Sequence, residues 1–241
     1  MVGREGAGVV VDVGARVTEV AVGDRVVYSG RSSDSFAGSY ANYAAVPAAA
    51  VVPLPDAVGF EDGCAALIQG TTAHYLMCDS YQVQPGEWVL IHAAAGGTGT
   101  ALVQIAKLKG ARVIATCSAA EKASYVAELG ADYTVLYSDR AGDWVSTVRE
   151  LTSDEGVAAV FDGVGKDTFL KGFKCLRRHR GAMIMFGEAS GRSELIATRE
   201  LLIRAYIHGK NPKVSKQTVS HTTAITDSNI GLEQEHPSLS M

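Results

Sequence analysis

No window of the 241-residue sequence offers the ~18 uninterrupted apolar residues that a membrane span needs, so no membrane partner is expected. Close-set cysteines are missing too. Cys64, Cys78, Cys117 and Cys175 are scattered without a C-x-x-C pair, which argues against a disulfide framework or a zinc lobe. They read as small core residues of a reducing compartment. Neither sign of charge dominates: a net charge of -4 spread along the chain gives no nucleic-acid footprint. The longest basic cluster, Arg177-Arg178-His179-Arg180, falls where a helix should end before an apolar strand, and is expected to favour that helix's C-terminus. The opening residues carry Arg4 and Glu5 with no apolar run behind a basic start, so the expectation is a cytoplasmic protein without a secretory leader. Nor does a nucleophile–base pair emerge. His74 and His92 stand alone on apolar segments and read as core or cleft-rim histidines, leaving no catalytic side chain to assign.

What is present is a glycine turn in a telling place. The composition is that of ordinary soluble globular material, 47% hydrophobic and 20% charged, long enough for one large or two modest domains. Within it, Gly86-Glu87-Trp88-Val89-Leu90-Ile91-His92-Ala93-Ala94-Ala95-Gly96-Gly97-Thr98-Gly99 reads as an apolar strand, a turn almost without side chains, and the start of a helix. Val89, Leu90 and Ile91 suit a strand buried on both faces of a parallel sheet. Gly96, Gly97 and Gly99 let the backbone turn tightly and approach a ligand. The helix from Gly97 through Leu108 would aim its free N–H groups and its dipole at an anion. This is the geometry of a pyrophosphate cradle, in a variant in which Ala94 replaces the first glycine of the usual fingerprint.

The rhythm around this turn sets the fold class. Before it, Val9–Val13, Arg25–Tyr28 and Tyr40–Val46 read as short strands punctuated by glycine and proline, a partial barrel. Pro53 and Pro55 then introduce two helices, Phe60–Leu67 and Thr72–Ser80. From Trp88 onward strands alternate with helices: strands Trp88–Ala93, Arg112–Cys117, Tyr133–Leu136, Val157–Asp162 and Gly181–Phe186, and helices Gly97–Lys109, Ala119–Leu129, Trp144–Leu151 and Asp167–Leu176. That alternation means an α/β fold with a doubly wound parallel sheet. Five strands are recognisable and a sixth is not. Ser193 to Ile207 reads as one more helix, capped by Ser193 and ended by Gly209, and the polar stretch from Gly209 to Met241 as disordered.

Several spaced motifs together carry a resemblance. They are Gly3-x-Glu5-Gly6-x-Gly8-x-Val10, Val22-Gly23-Asp24-Arg25-Val26, Gln69-Gly70-Thr71-Thr72-Ala73, the glycine turn with Gln104 and Lys107, Asp162-x-Val164-Gly165 and Phe186-Gly187-x-x-Ser190-Gly191. In this order the chain resembles the quinone oxidoreductase / zeta-crystallin family, zinc-free members of the medium-chain dehydrogenase/reductase superfamily. The resemblance runs from about Val2 to about Gly191. It implies a Rossmann-like doubly wound sheet preceded by an incomplete GroES-like β-rich lobe. The boundaries read as residues 1–65 for the partial lobe, 66–191 for the NADPH-binding domain and 192–241 for an atypical tail. On this reading the chain is the middle of a family enzyme truncated at both ends. Its barrel strands would lack sheet partners, its sixth Rossmann strand would be missing, and its catalysis would be weak or absent. The family forms homo-oligomers, and the missing sheet edge leaves the oligomeric state of this chain open.

The resemblance also implies a chemistry: an NADPH-dependent oxidoreductase passing hydride to quinones or related electron-poor enones. The alternatives are an enoyl or alkenal reductase of the same superfamily, or a non-enzymatic NADPH-binding protein like those recruited to the lens. An NAD enzyme places an acid about 20 residues past the glycine turn to hold the ribose hydroxyls. Here that strand ends at Cys117-Ser118 without one, and Lys122 follows one helical turn later. Family members that prefer NADPH carry a lysine at the position of Lys122 and a tyrosine at that of Tyr137. Thr72, Gly96, Gly97, Thr98, Gly99 and Ser118 are the further expected cofactor contacts, with Gly163, Val164, Phe186, Gly187 and Glu188 at the ends of the fourth and fifth strands. Asp162 is expected to cap its own loop. Zinc-dependent relatives place a histidine before the Glu of the Gly-x-Glu motif; here that residue is Arg4, which has no lone pair to give a metal, so no metal site is expected.

Overall fold

The computed structural model describes residues 2–30, 38–138, 142–192, 205–208 and 229–233, which fall into two compact units. The first comprises residues 1–71 and 219–241, and the second residues 72–218.

The first unit is built on β1 (Glu5–Val13), β2 (Arg25–Ser29), β3 (Tyr43–Pro47) and β4 (Val51–Pro53), followed by most of α1 (Phe60–Tyr75). Its sheet is antiparallel in the order β3-β11-β1-β2-β4, where β11 is Asn229–Glu233. Strand pleating alternates burial along β1, so that Val10 joins Val20, Val26, Tyr28, Ala44 and Val46 in one core. Two expectations change here. β1 and β2 both have partners on each side, so their edges are not bare. The polar stretch read as disordered supplies an interior strand, whose Asn229–Glu233 pairs with β3 on one side and β1 on the other. A five-residue strand held by pairing with distant segments carries too little local pattern to announce itself. The rest of that stretch lies outside the described residues.

α1 is also longer than expected. The two helices divided at Gln69-Gly70-Thr71 are one helix running through Tyr75. Gly70 costs the helix some stability without breaking it, and the Thr71 hydroxyl bonds back to the Leu67 and Ile68 carbonyls. The ladder then widens over Leu76–Ser80, where the Tyr81 N–H reaches the Leu76 carbonyl.

The second unit is a six-stranded parallel sheet: β5 (Trp88–Ile91), β6 (Arg112–Cys117), β7 (Tyr133–Leu136), β8 (Ala159–Asp162), β9 (Ala182–Met185) and β10 (Ala205–His208), ordered β10-β9-β8-β5-β6-β7. The helices are α2 (Gly97–Leu108), α3 (Ala120–Glu128), α4 (Trp144–Leu151) and α5 (Phe169–Cys175). Alternate strand residues go to opposite cores. Val89, Ile91, Val113, Ala115 and Phe161 pack with Leu102, Val103 and Ala106 of α2. Leu90, Ile114, Val160 and Met183 pack with Trp144, Val148, Phe169 and Phe173 of α4 and α5. A sheet buried on both faces explains why its strands read as continuous apolar runs.

The sixth strand that the sequence did not reveal is β10, parallel to β9 from the Ala205–Ala182 pair to the His208–Met185 pair. It occupies the end of the stretch read as helix, whose earlier part lies outside the described residues. A four-residue edge strand takes its conformation from the neighbour it pairs with more than from its own sequence. The basic cluster differs as well. α5 ends at Cys175, and Arg177 turns away to Glu87 at 3.1 Å, joining the Tyr81 hydroxyl that Glu87 also holds. Burial and the Glu87 charge push that phenol up to about 12.

Candidate functional site

The strand order of the second unit reverses between β5 and β8, and a crevice for a ligand forms at the carboxyl ends of the strands flanking such a point. The glycine turn follows β5 and the Asp162 loop follows β8, so both sequence motifs arrive there.

The turn itself is tightly built. Ala93 adopts φ 49°, a left-handed conformation uncommon for a residue with a Cβ, and its carbonyl accepts the Gly96 N–H at 2.9 Å. A Cβ on Gly99 would lie 2.4 Å from the Ala93 carbonyl oxygen and 2.8 Å from the Ala94 backbone, so glycine there is a packing requirement. A Cβ on Gly96 would meet nothing nearer than that same oxygen at 3.3 Å, which leaves the approach over the turn open. α2 starts after Gly96 with neither a side-chain cap nor an acidic residue in its first turn. Its first N–H groups and positive dipole end therefore suit an anion.

A buried network supports the turn from below. The Ala93 N–H donates to the Tyr137 hydroxyl at 2.9 Å, and Thr116 Oγ1 lies 3.0 Å from that hydroxyl and 2.8 Å from His92 Nδ1. Trp144 packs edge-on to the His92 ring at 4.9 Å between centroids. His92 is thus a core histidine, as its apolar segment suggested. Thr116 was missed, although a lone threonine in an otherwise apolar buried strand signals a polar partner nearby.

Burial pushes His92 down to about 4 against the opposing pull of the Asp162 charge. Its ordinary value is near 6.5, so between these pH values the unfolded chain binds a proton that the folded chain refuses. The stability carried by neutral His92 is complete above pH 6.5 and lost as the pH falls toward 4. The expected loss is about 3 kcal/mol. Denaturant titrations from pH 7 to 4 should show it, and His92→Gln should flatten the slope; parallel slopes in both proteins would refute the assignment.

The remaining expected residues fall into groups. Lys122 Nζ donates to Ser118 Oγ at 3.2 Å, both exposed past the end of β6. Asp162, fully buried, accepts from the Val164 N–H at 2.7 Å, the Gly165 N–H at 3.0 Å and the Thr168 hydroxyl. It caps its loop, as expected. Gly163 and Gly187 bring the β8 and β9 loops into contact: a Cβ on Gly187 would sit 2.7 Å from the Gly163 carbonyl oxygen, and one on Gly163 2.8 Å from the Phe186 ring. The Val164 carbonyl accepts from both the N–H and the hydroxyl of Ser190. Glu188 is exposed, with its carboxylate 3.6 Å from Arg192. Thr98 is half-buried in the first turn of α2, and Thr72 half-buried late in α1. Among the described residues no group of three or more His, Cys, Asp or Glu side chains is arranged to hold a metal, and no helix is long and apolar enough to cross a membrane.

Comparison with known proteins bears on this arrangement. The family model described as zinc-binding dehydrogenase matches residues 97–224, over half of the chain, and the alcohol dehydrogenase GroES-like domain matches residues 1–56. A quinone oxidoreductase of Salmonella typhimurium is 42% identical over 189 residues, covering 78% of this chain and 56% of the relative. A 2-haloacrylate reductase of a Burkholderia species is 40% identical, covering 83% of this chain and 59% of the relative. Among solved structures, mycobacterial Rv1454c complexed with NADPH superposes with a TM-score of 0.77 at 40% identity, covering 86% of this chain and 62% of that one. The chain thus spans little more than half the length of the curated relatives it matches.

Proposed function

The chain belongs to the family described as zinc-binding dehydrogenase, with an alcohol dehydrogenase GroES-like domain ahead of it, and on that premise we propose that it is of the quinone oxidoreductase kind, binding NADPH and passing hydride from it to quinones or related electron-poor enones. The observation that carries the cofactor reading is the uncapped N-terminus of α2 behind a turn that a Cβ at Gly99 would break. The diphosphate would lie on the N–H groups following Gly96, with Gly97 and Thr98 nearest. The dinucleotide would continue over the Gly163-Val164 and Phe186-Gly187 loops, which their glycines let pack against each other at the carboxyl ends of β8 and β9. When bound, the nicotinamide supplies the hydride; the chain's own work is to hold, orient and exclude water. The 2-haloacrylate reductase among the relatives keeps electron-poor alkenes beside quinones as acceptors. No metal is needed for this chemistry, and elemental analysis of purified protein should find no stoichiometric zinc.

Lys122 and Ser118, exposed together where an NAD enzyme keeps an acid, are the proposed seat of the 2′-phosphate. A charge-assisted contact is worth about 1.5–3 kcal/mol, or roughly 10- to 100-fold in affinity. Lys122→Ala should therefore lose that much affinity for NADPH and almost none for NADH. Tyr137 tests a different role. Its hydroxyl already holds the Ala93 N–H, so Tyr137→Phe should weaken both cofactors alike by loosening the turn. Fluorescence titration of the two cofactors against each variant separates these outcomes. Equal NADPH and NADH affinities in the unaltered protein would sink the phosphate assignment, and a loss confined to NADPH in Tyr137→Phe would return that tyrosine to the phosphate.

A further inference from the structure

The first unit holds a cavity of about 880 Å³ between the start of β1, residues 39–42 and the first turns of α1. Phe60, Ala41 and Ala65 give it apolar wall, while Glu5 and Gln69 bring polar groups to it. These two side chains are joined, with Gln69 Nε2 donating to Glu5 Oε1 at 2.9 Å. That bond uses the amide as a donor and leaves two acceptors behind. Among the described residues, Glu5 Oε2 and Gln69 Oε1 are both buried without a hydrogen-bond partner. Buried polar atoms are nearly always satisfied, and an orphan acceptor costs free energy until something donates to it. Burial, and after it the Glu5 charge, push the Cys64 thiol beside them up, which favours its protonated form. The chemistry of this lining suits a donor-bearing molecule with an apolar body, and the cavity's size falls within the range of small-molecule sites.

We propose that this cavity takes a dihydroxyaromatic, the reduced form of a quinone, in preference to the quinone itself, with Glu5 and Gln69 accepting its hydroxyl protons. The proposal rests on the acceptor class given above and adds which redox form the pocket favours. A quinone presents only carbonyl oxygens, and against a carboxylate and an amide oxygen it would set acceptor on acceptor. Its hydroquinone presents two O–H donors, and a hydrogen bond to a charged acceptor is among the stronger ones available. Glu5 is then the residue that sets the preference, and the bound species is the product of quinone reduction.

The test is calorimetric binding of durohydroquinone and duroquinone to the whole chain, under argon and without cofactor. Their ring methyl groups block addition of the Cys64 thiol. Durohydroquinone should bind at least about tenfold more tightly, the scale of one charge-assisted hydrogen bond. Glu5→Gln, which offers the ligand an N–H in place of one acceptor, should narrow that ratio to about threefold or less, with thermal unfolding as the check on folding. Gln69→Leu should narrow it in the same direction and serves if the first variant does not fold. Affinities within threefold in the unaltered protein, no binding of either compound, or a ratio unmoved in a folded variant would overturn the proposal. Quinone-dependent NADPH oxidation, measured on the same sample, reports separately on the underlying activity. Turnover without the redox preference refutes the pocket assignment alone.

Discussion

Gly99→Val is expected to abolish useful dinucleotide binding, lowering NADPH affinity by roughly a hundredfold or more, about 3 kcal/mol. The cause is steric and lies in backbone. The first added carbon falls 2.4 Å from the Ala93 carbonyl oxygen and 2.8 Å from two backbone atoms of Ala94, distances at which no flexible side chain can give way. Either α2 shifts away from β5 or the Ala93 turn opens. Both displace the N–H groups on which a diphosphate would rest, and electrostatic contacts of this kind depend on donors being in place beforehand. Gly96→Ala is the control, because its Cβ meets a single atom at 3.3 Å and should cost far less. Titrating NADPH against both variants decides the matter. Similar affinities for the two would show that the Gly99 contact does not shape the site.

Asp162→Ala should cost the second unit about 3 kcal/mol of stability. The carboxylate is fully buried and accepts from the Val164 and Gly165 N–H groups and from the Thr168 hydroxyl. Alanine would leave the two backbone donors with nothing to bond and the Thr168 hydroxyl with only the Gly165 carbonyl at 3.4 Å, and desolvated donors left unpaired are the expensive outcome. Asp162→Asn keeps one oxygen for the two N–H groups and can donate to Thr168, so its cost should be about 1 kcal/mol. Urea unfolding of the three proteins gives the comparison. Equal midpoints for alanine and asparagine would mean that the loop finds other partners. Because this loop meets the β9 loop at Gly163 and Gly187, the alanine variant should also weaken NADPH.

Much of this fold was legible because the second unit is locally consistent. β6, β7 and α4 begin and end where the apolar pattern places them: β6 is buried on both faces, the edge strand β7 buries Val135 against it, and α4 shows one apolar face with Trp144 and Val148. The short elements were not legible. β10 and β11 are four and five residues long and owe their conformation to partners far away in sequence. With them goes part of the case for a catalytically weak chain: the sixth strand is present, and β1 and β2 are paired on both sides. In the site, Lys122 with Ser118 could be anticipated because an expected acid is absent there. The bond from Ala93 to the Tyr137 hydroxyl could not, since it joins the ends of the first and third sheet strands across Thr116 of the second. Sequence proximity places Arg177 at the nearest helix end, whereas in three dimensions its guanidinium lies against Glu87.

The proposed use of NADPH to reduce quinones is tested most directly by following the loss of nicotinamide absorbance when duroquinone is added to the purified protein. Quinone-dependent oxidation of NADPH is expected, one cofactor consumed for each quinone reduced, with NADH poorer by about tenfold or more in kcat/KM. Consumption of NADH as readily as NADPH, or no quinone-dependent consumption of either, would contradict it.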